Sequence, residues 1–267
     1  MRTFLLALSG KYQVTLIMIS TIVLAFVIAI ATSQFFDTHK LLVNVDLISS
    51  IYQVMGTIYA ILLTFTLWGV WQKFAEADTS VQKEAYALLD LVHVLEASPT
   101  WKNGNIRQSA LNYSKIVVEK EWPMLKAFTS NAINAREQSN SISMQVIKAV
   151  QNIAPNGERD SIIFGQALTL LNNWIDARRT RILIARGNTA KSLWPLLFTG
   201  ALVLFAFHGL FVAQTIGIWT TLLFGTSLVI GLTFYLIFAL DCPFEGSLSI
   251  DPEPFTLAIN ILTSTMS

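Results

Sequence analysis

Long hydrophobic runs alternate with polar segments along this chain, and four of the runs are long enough to cross a bilayer as helices. About 20 apolar residues suffice for one crossing. The first pair of runs covers about residues 13–34 and 46–71, and the second pair covers about 195–213 and 218–240. We therefore predict an all-α protein with four transmembrane helices, arranged as one hairpin near each end of the chain.

The second run differs from the others because it carries polar residues at helical spacing. At about 100° per residue, seven residues fall on one side of a helix and form a polar seam. They are Asp46, Ser50, Gln53, Thr57, Ile61, Thr64 and Trp68. An unpaired polar group is costly in lipid, so the seam either packs against neighbouring helices or lines a water-filled path between several copies. The pattern alone favours packing.

Residues 74–194, between a hairpin in residues 1–73 and a hairpin in residues 195–240, have the composition of a soluble helical domain. Residues 72–194 hold 15 of the 18 Lys and Arg residues and 11 of the 17 acids. Apolar residues recur there at helical spacing, and prolines interrupt the pattern. We predict an α-helical cytoplasmic domain, followed by an acidic cytoplasmic tail at residues 241–267.

The end of the second transmembrane helix is predicted from its aromatic residues. Trp68 and Trp71 precede Lys73, and this order is typical of a helix that leaves the membrane. A separate domain helix is predicted to follow, with an apolar face from Val81 to Leu95, and to end at Ser98-Pro99 because proline disfavours helix in the preceding residue.

The distribution of basic residues predicts the orientation. With four crossings, both termini and the helical domain share one side, which holds 17 of the 18 Lys and Arg residues, whereas the other side has only Lys40. Cytoplasmic segments of membrane proteins carry such an excess. We expect both termini to be cytoplasmic.

Composition narrows the function classes. Of the 267 residues, 53% are hydrophobic and 13% charged, against about 25% charged in a soluble domain. The net charge of +1 gives no reason to expect nucleic acid. Cys242 is the single cysteine, and His39, His93 and His208 are far apart, so we predict no metal site. Catalytic and cofactor motifs are absent, so we predict no enzyme and no cofactor.

Four arginines cluster before the third crossing, at Arg178, Arg179, Arg181 and Arg186. Arg178 and Arg181 are three residues apart on one helix face, so we consider them as the lining of a cytoplasmic vestibule that attracts anions. Two alternatives stay open for the cluster: salt bridges within the helical domain, and contact with anionic lipid headgroups.

Other polar residues are weaker candidates. An intramembrane histidine such as His208 is a candidate functional group, but a hydrogen bond from its ring to a neighbouring carbonyl is the favoured interpretation. Glu245, Asp251 and Glu253 are acids that hard cations accept as ligands. Their spacing fits no standard loop, so we favour a solvated acidic tail.

The layout of two crossings, a helical domain, two crossings and a tail is similar to that of bestrophins. The stretch from Leu240 to Gly246, LDCPFEG, resembles the D/N-P-F-G stretch of bestrophins, with an extra residue before Pro243 and another before Gly246. The chain resembles bacterial bestrophin-like membrane proteins more closely. The hallmarks of that resemblance are Gly56-x-x-Tyr59-Ala60, Phe65, Trp71, Ala77, Val81, Glu84, Ala85, Tyr113, Glu121-Trp122-Pro123, Leu240-Asp241-x-Pro243-Phe244 and Pro252-x-Pro254-Phe255.

The resemblance implies an oligomeric ion channel in the bacterial inner membrane, with the second transmembrane helix lining the pore. It implies membrane lipid, small inorganic ions and further copies of the chain as partners: five copies as in bestrophins, or four. It favours the water-filled path over packing. Bestrophin pores narrow at hydrophobic, often aromatic, rings, and this seam lacks that pattern. Ion selectivity is therefore not implied. The acids that help bind calcium in animal bestrophins have no clear equivalents here, so calcium activation is not implied either.

The residues themselves predict how such a pore would work. Rings of Gln53, Thr57 and Thr64 would hydrogen-bond water and ions, and a ring of Ile61 would gate by dewetting. Asp46 at the non-cytoplasmic mouth would concentrate cations, so the hypothesis includes a preference of the pore for cations. Arg178 and Arg181 at the other mouth would act in the opposite sense.

A second hypothesis is a non-conducting membrane adaptor or sensor, whose helical domain binds a cytoplasmic partner. It predicts one or two copies and a seam buried against the first, third and fourth helices. A membrane enzyme ranks last.

Overall fold

The structure is a computed structural model of the chain, and it describes residues 10–36, 45–99, 101, 105–127, 132–186, 192–211, 216–246 and 248–264. The side chains of residues 126–139 and of Arg186 lie outside this description. In chain order the helical elements are α1 (Gly10–Phe35), α2 (Val45–Glu96), α3 (Ile106–Ile116), a π-helical turn (Val117–Glu121), α4 (Trp122–Ala127), α5 (Ala132–Gln151), α6 (Glu158–Arg186), α7 (Trp194–Gly209), α8 (Ile216–Leu240) and α9 (Glu253–Ser264). Every regular element among the described residues is helical, as the sequence predicts.

The chain forms two compact units, which we describe separately. The membrane unit comprises residues 1–74, 188–242 and 246–248. The helical unit comprises residues 75–187, 243–245 and 249–267.

Three helices of the described chain are long and apolar enough to cross a membrane, and these are α1 from Lys11 onward, α2 and α8. Helix α7 has 16 residues, which at 1.5 Å per residue is about 24 Å. The hydrocarbon core is about 30 Å thick. The third predicted span extends to Ala213, and its last two residues lie outside the described chain. Length and composition therefore support three of the four predicted crossings.

Helix α2 does not end near Lys73, and this part of the sequence prediction is wrong. It continues without a break for 52 residues, to Glu96. Residues 72–96 contain neither glycine nor proline, the two residues that most often end a helix. The predicted stop before Pro99 is confirmed, because the helix ends three residues earlier.

The core of the membrane unit is built from α1, α2, α7 and α8. Its buried residues are Ala25, Ala29, Tyr59, Leu63, Val70, Leu197, Ala201, Leu204, Phe205, Leu223, Ile230, Phe234, Ile237 and Leu240. Helices α1 and α7 meet backbone to backbone, because a Cβ atom at Gly209 would lie 2.3 Å from the carbonyl oxygen of Ala29. Lys73 Nζ donates to the carbonyl oxygen of Asp241 at 2.9 Å and to its carboxylate at 3.2 Å, which ties α2 to the end of α8.

The acidic tail is not a solvated segment, contrary to our expectation. Residues 253–264 form α9, whose Phe255, Ala258 and Leu262 are buried in the helical unit. The tail also contacts the Trp122 side chain, because its Nε1–H donates to the carbonyl oxygen of Ile250 in the tail at 3.1 Å. These three apolar residues have helical spacing, a signal for α9 that the prediction of a solvated acidic tail did not use.

Candidate functional site

The predicted polar seam faces away from the other helices of its own membrane unit. All seven seam residues are exposed: Asp46, Ser50, Gln53, Thr57, Ile61, Thr64 and Trp68. Buried residues of α2 occur two positions, or about 200°, after four of them, at Tyr59, Leu63, Thr66 and Val70. The adaptor hypothesis predicts a seam buried against the first, third and fourth helices, and the described parts of those helices do not cover it.

The hydroxyl groups of the seam offer hydrogen-bond acceptors to the surroundings of α2. Ser50 donates its hydroxyl hydrogen to the carbonyl oxygen of Asp46 at 2.8 Å, Thr57 to Gln53 at 2.9 Å and Thr64 to Ala60 at 2.8 Å. A hydroxyl has one hydrogen and two lone pairs, so each group has already used its donor within α2. What it offers to a water or an ion is an oxygen lone pair.

The two flanks of the seam differ in size. Large apolar residues line one flank, and they are Leu47, Ile51, Val54, Ile58 and Phe65, all exposed. Small residues, Ser49, Gly56 and Ala60, line the other flank. A Cβ atom added at Gly56 would meet no atom within 4 Å. Small residues let helices approach each other closely in membranes, so this flank of α2 leaves room for another helix.

A second candidate site is a buried charge cluster in the helical unit, centred on Arg181. This guanidinium has no exposed surface. Its Nε donates to Glu84 Oε2 at 2.6 Å. Its Nη2 donates to Glu84 Oε1 at 3.1 Å and to Glu121 Oε2 at 3.0 Å. The rings of Trp122 and Phe255 lie 5.7 and 5.9 Å from the guanidinium carbon, which adds cation–π attraction.

Tyr113 links this buried cluster to Arg178. The Tyr113 hydroxyl donates to Glu84 Oε1 and accepts from Arg178 Nε at 3.0 Å. Arg178 Nη2 also donates to Asn140 Oδ1 at 2.8 Å. Residues of α2, α3, α5, α6 and the π-helical turn are thus joined by one chain of hydrogen bonds.

Burial and charge set the protonation of the cluster. Burial raises the pKa of Tyr113 well above its usual range, and the Glu84 carboxylate raises it further. Burial alone lowers the pKa of Arg181, but the charges of Glu121 and Glu84 outweigh this and hold the pKa well above its usual value. Tyr113 therefore stays neutral and Arg181 stays charged at physiological pH.

The π-helical turn that carries Glu121 has a cause in the sequence. Pro123 has no N–H to donate, and its ring would crowd the carbonyl four residues earlier in a regular α-helix. The chain widens just before it, and the Trp122 N–H donates to the carbonyl oxygen of Val117, five residues back. Such widened turns often occur at functional sites. The sequence analysis expects prolines to interrupt the helical pattern of this domain, and at Pro123 the interruption is this widened turn.

The arginines do not form the anion-attracting pair that we predicted. Arg181 is enclosed by carboxylates of its own chain, which corresponds to the salt-bridge alternative, and a side chain without exposed surface does not line a vestibule. Arg178 is half-buried and bonds Tyr113 and Asn140. Arg179 is exposed and pairs with Asp176 at 3.2 Å. The Arg186 side chain lies outside the described residues.

Several hallmark residues that seem scattered along the sequence meet in this cluster. Glu84, Tyr113, Glu121, Trp122 and Phe255 surround Arg181, and Phe244 packs edge-on against Trp122 at 5.6 Å. Sequence reasoning named them as hallmarks but assigned them no common role. The signal that points to them is two acids, Glu84 and Glu121, at positions where the helical pattern calls for apolar residues.

The remaining sequence candidates have structural explanations. His208 Nε2 lies 3.4 Å from the carbonyl oxygen of Trp219, a weak hydrogen bond of the kind that we favoured. Glu245 is buried, whereas Asp251 and Glu253 are exposed. Within the described residues, no group of His, Cys, Asp and Glu is arranged to hold a metal ion.

The pKa of Tyr113 predicts an alkaline loss of stability. An unfolded tyrosine loses its proton near pH 10, whereas folded Tyr113 keeps it. The contribution of Tyr113 to the free energy of unfolding is therefore fully present below pH 10. Above pH 10 this contribution falls by up to about 1.4 kcal/mol per pH unit. Urea unfolding followed by circular dichroism between pH 8 and 11.5 should show this slope. Tyr113→Phe should flatten it, and Tyr86→Phe, at an exposed position, should not. Equal slopes in all three proteins would refute the assignment.

Comparisons with known proteins agree with the fold and with the resemblance to bestrophin-like proteins. A bacterial bestrophin homologue from Klebsiella pneumoniae matches with a TM-score of 0.69 at 13% identity, over 96% of this chain and 99% of that one. Another structure of this homologue, phased with zinc, matches with a TM-score of 0.64 at 14% identity, over 93% and 95%. A search of curated proteins found no match. The sequence model of the bestrophin-like domain matches residues 19–255, and the chain therefore belongs to the bestrophin-like family.

Proposed function

We propose that this chain is the subunit of an oligomeric ion channel whose pore is lined by the polar seam of α2. The observation that carries the proposal is that all seven seam residues are exposed and turned away from the core of their own unit. A polar stripe that faces lipid would cost free energy, and water in a shared pore removes that cost. Membership of the bestrophin-like family supports the same conclusion.

The proposed assembly is a ring of copies, five as in bestrophins, or four. Each seam faces the ring axis, the large flank of one α2 packs toward the small flank of the next, and closure leaves no flank uncovered. This arrangement accounts for the open space at Gly56. The mass of the detergent-solubilised protein tests it. Five or four copies support the ring, and one or two would favour the adaptor hypothesis.

We propose that the pore favours cations. The hydroxyl groups of Ser50, Thr57 and Thr64 direct lone pairs, not hydrogens, away from α2, and cations accept oxygen ligands. Asp46 is exposed at the start of α2, and a ring of such carboxylates raises the local cation concentration. Ile61 is the one aliphatic seam residue and supplies the constriction that gates by dewetting.

The proposed setting is the bacterial inner membrane, with both termini and the helical unit on the cytoplasmic side. Arg2 and Lys11, close to the start of the first crossing, support this orientation, because basic residues near the end of a transmembrane helix favour the cytoplasmic side. Asp46 then lies at the outer mouth of the pore.

Replacement of Asp46 tests the permeation pathway. Planar-bilayer recordings of purified protein in a potassium chloride gradient should give a cation-selective reversal potential. Asp46→Asn should lower the permeability ratio of potassium to chloride by roughly threefold or more, because the ring of charge is lost. Asp176→Asn, at an exposed acid of the helical unit, is the matched control and should leave the ratio unchanged. A reversal potential that Asp46→Asn and Gln53→Ala both leave unmoved would contradict the proposed pore.

A further inference from the structure

The face of α2 opposite the seam carries one side chain that interlocks with another helix. Tyr59 is 6% exposed, and its hydroxyl donates to the carbonyl oxygen of Leu197 in α7 at 2.9 Å. Its ring lies across Gly200 of the same helix, where a Cβ atom would come within 2.4 Å of two ring carbons. The tyrosine thus fills a notch in α7 that the absence of a side chain at Gly200 creates.

This contact fixes the rotation of α2 beside the seam more closely than the neighbouring aliphatic contacts can. The directional bond from Lys73 to Asp241 lies further along α2, beyond the last seam residue. Leu63 and Val70 also face the core, but aliphatic side chains pack without a directional bond. Membrane helices gain little from hydrophobic burial against each other, so close packing and interhelical hydrogen bonds decide their orientation. Tyr59 supplies both, at two specific points of α7.

We infer that Tyr59 and Gly200 act as a positioning pair that turns the seam toward the pore axis. Tyr59 follows the seam residue Thr57 by two positions, or about 200° around the helix. Holding the Tyr59 ring against α7 therefore holds Thr57 on the opposite side. A rotation of one residue, about 100°, would bring the apolar Ile58 toward the axis instead. The inference rests on the proposed channel function and names the residues that orient its pore wall.

Cysteine reporters measure this rotation directly. Cys242, the single native cysteine, is buried and is first replaced by serine. Thr57→Cys and Ile58→Cys then report which face of α2 meets water, through the rate at which a charged methanethiosulfonate reagent blocks the current. With the native positioning pair, Thr57→Cys should react on the order of tenfold faster than Ile58→Cys, because only one of the two faces an aqueous path.

Variants of the pair should lower this ratio of rates. Tyr59→Phe keeps the ring and removes the hydrogen bond, and should reduce the ratio by roughly threefold, the factor that corresponds to one interhelical hydrogen bond. Gly200→Ala fills the notch and should reduce it by about tenfold. The matched controls are Tyr52→Phe, at a half-buried tyrosine of the same helix, and Gly225→Ala, where a Cβ atom meets nothing within 4 Å. Both controls should leave the ratio unchanged.

The outcomes separate the positioning role from channel function. If the parent protein conducts and both Tyr59→Phe and Gly200→Ala keep the parent ratio, the positioning role is wrong and the channel stands. If the parent protein does not conduct, the proposed function itself fails. If Gly200→Ala does not assemble, Tyr59→Phe decides alone, since it adds no atom. A general loss of packing would change the reaction rates of Thr57→Cys and Ile58→Cys in the same direction. A rotation of α2 would raise one rate and lower the other.

Discussion

Replacing Arg181 with methionine is expected to lower the free energy of unfolding of the helical unit by about 3–5 kcal/mol. Methionine fills much of the same space but leaves the carboxylates of Glu84 and Glu121 buried without their cation. Removal of one partner from a buried ion pair is costly because the other charge stays desolvated. Urea unfolding of the purified protein, followed by circular dichroism, measures the change.

Two further variants test whether charge is the cause. Arg179→Met, at an exposed arginine of the same helix with a weak surface pair, should change stability by less than about 1 kcal/mol. Adding Glu84→Gln to Arg181→Met removes one stranded carboxylate and should recover part of the loss. A loss of similar size in both single arginine variants, or no recovery in the double variant, would contradict the proposed role of the buried cluster.

Replacing Ile61 with threonine is expected to increase the total current at constant voltage by about tenfold, because it shifts the balance between closed and open channels by about 1.4 kcal/mol. A ring of isoleucines expels water from a narrow pore, and a ring of hydroxyl groups retains it. Planar-bilayer recordings at constant voltage measure the effect. Ile58→Thr is the matched control, because Ile58 is exposed on the large flank of α2 and not on the seam. It should leave the current within about twofold of the parent value.

The Ile61 result also tests the location of the gate. A current that rises equally in Ile61→Thr and Ile58→Thr would show a general loosening of α2. A current that neither variant changes would place the constriction elsewhere in the protein.

The features that the sequence predicts well are local. The helices, the stop before Pro99 and the spacing of the polar seam depend on residues within a few turns of one another. The seam was visible from Asp46 to Trp68, but its direction was not. A periodic pattern shows that one face of a helix differs from the others, and it does not show what lies opposite that face. Only the burial of Tyr59 and Leu63 establishes that the seam points away from its own unit.

Apart from the continuation of α2 past Lys73, the features that sequence reasoning missed depend on contacts between distant residues. Glu84 and Arg181 are 97 residues apart, and no local pattern predicts their pairing. Arg181 therefore appeared as one of four basic residues near the membrane and not as the centre of a buried cluster. The packing of α9 was not predicted for the same reason, because Phe255 is buried only when the tail packs against distant residues of the helical unit.

The central claim is that the polar seam of α2 faces an aqueous path through the membrane, and a cysteine scan of residues 46–68 tests it most directly. Each position is replaced in turn in the Cys242→Ser background, and the block of current by a charged thiol reagent is recorded. We predict block at Ser50, Gln53, Thr57, Ile61 and Thr64, with little or none at Val54, Ile58 and Phe65. A parent protein without current, or block that follows the large apolar flank instead of the seam, would contradict the account.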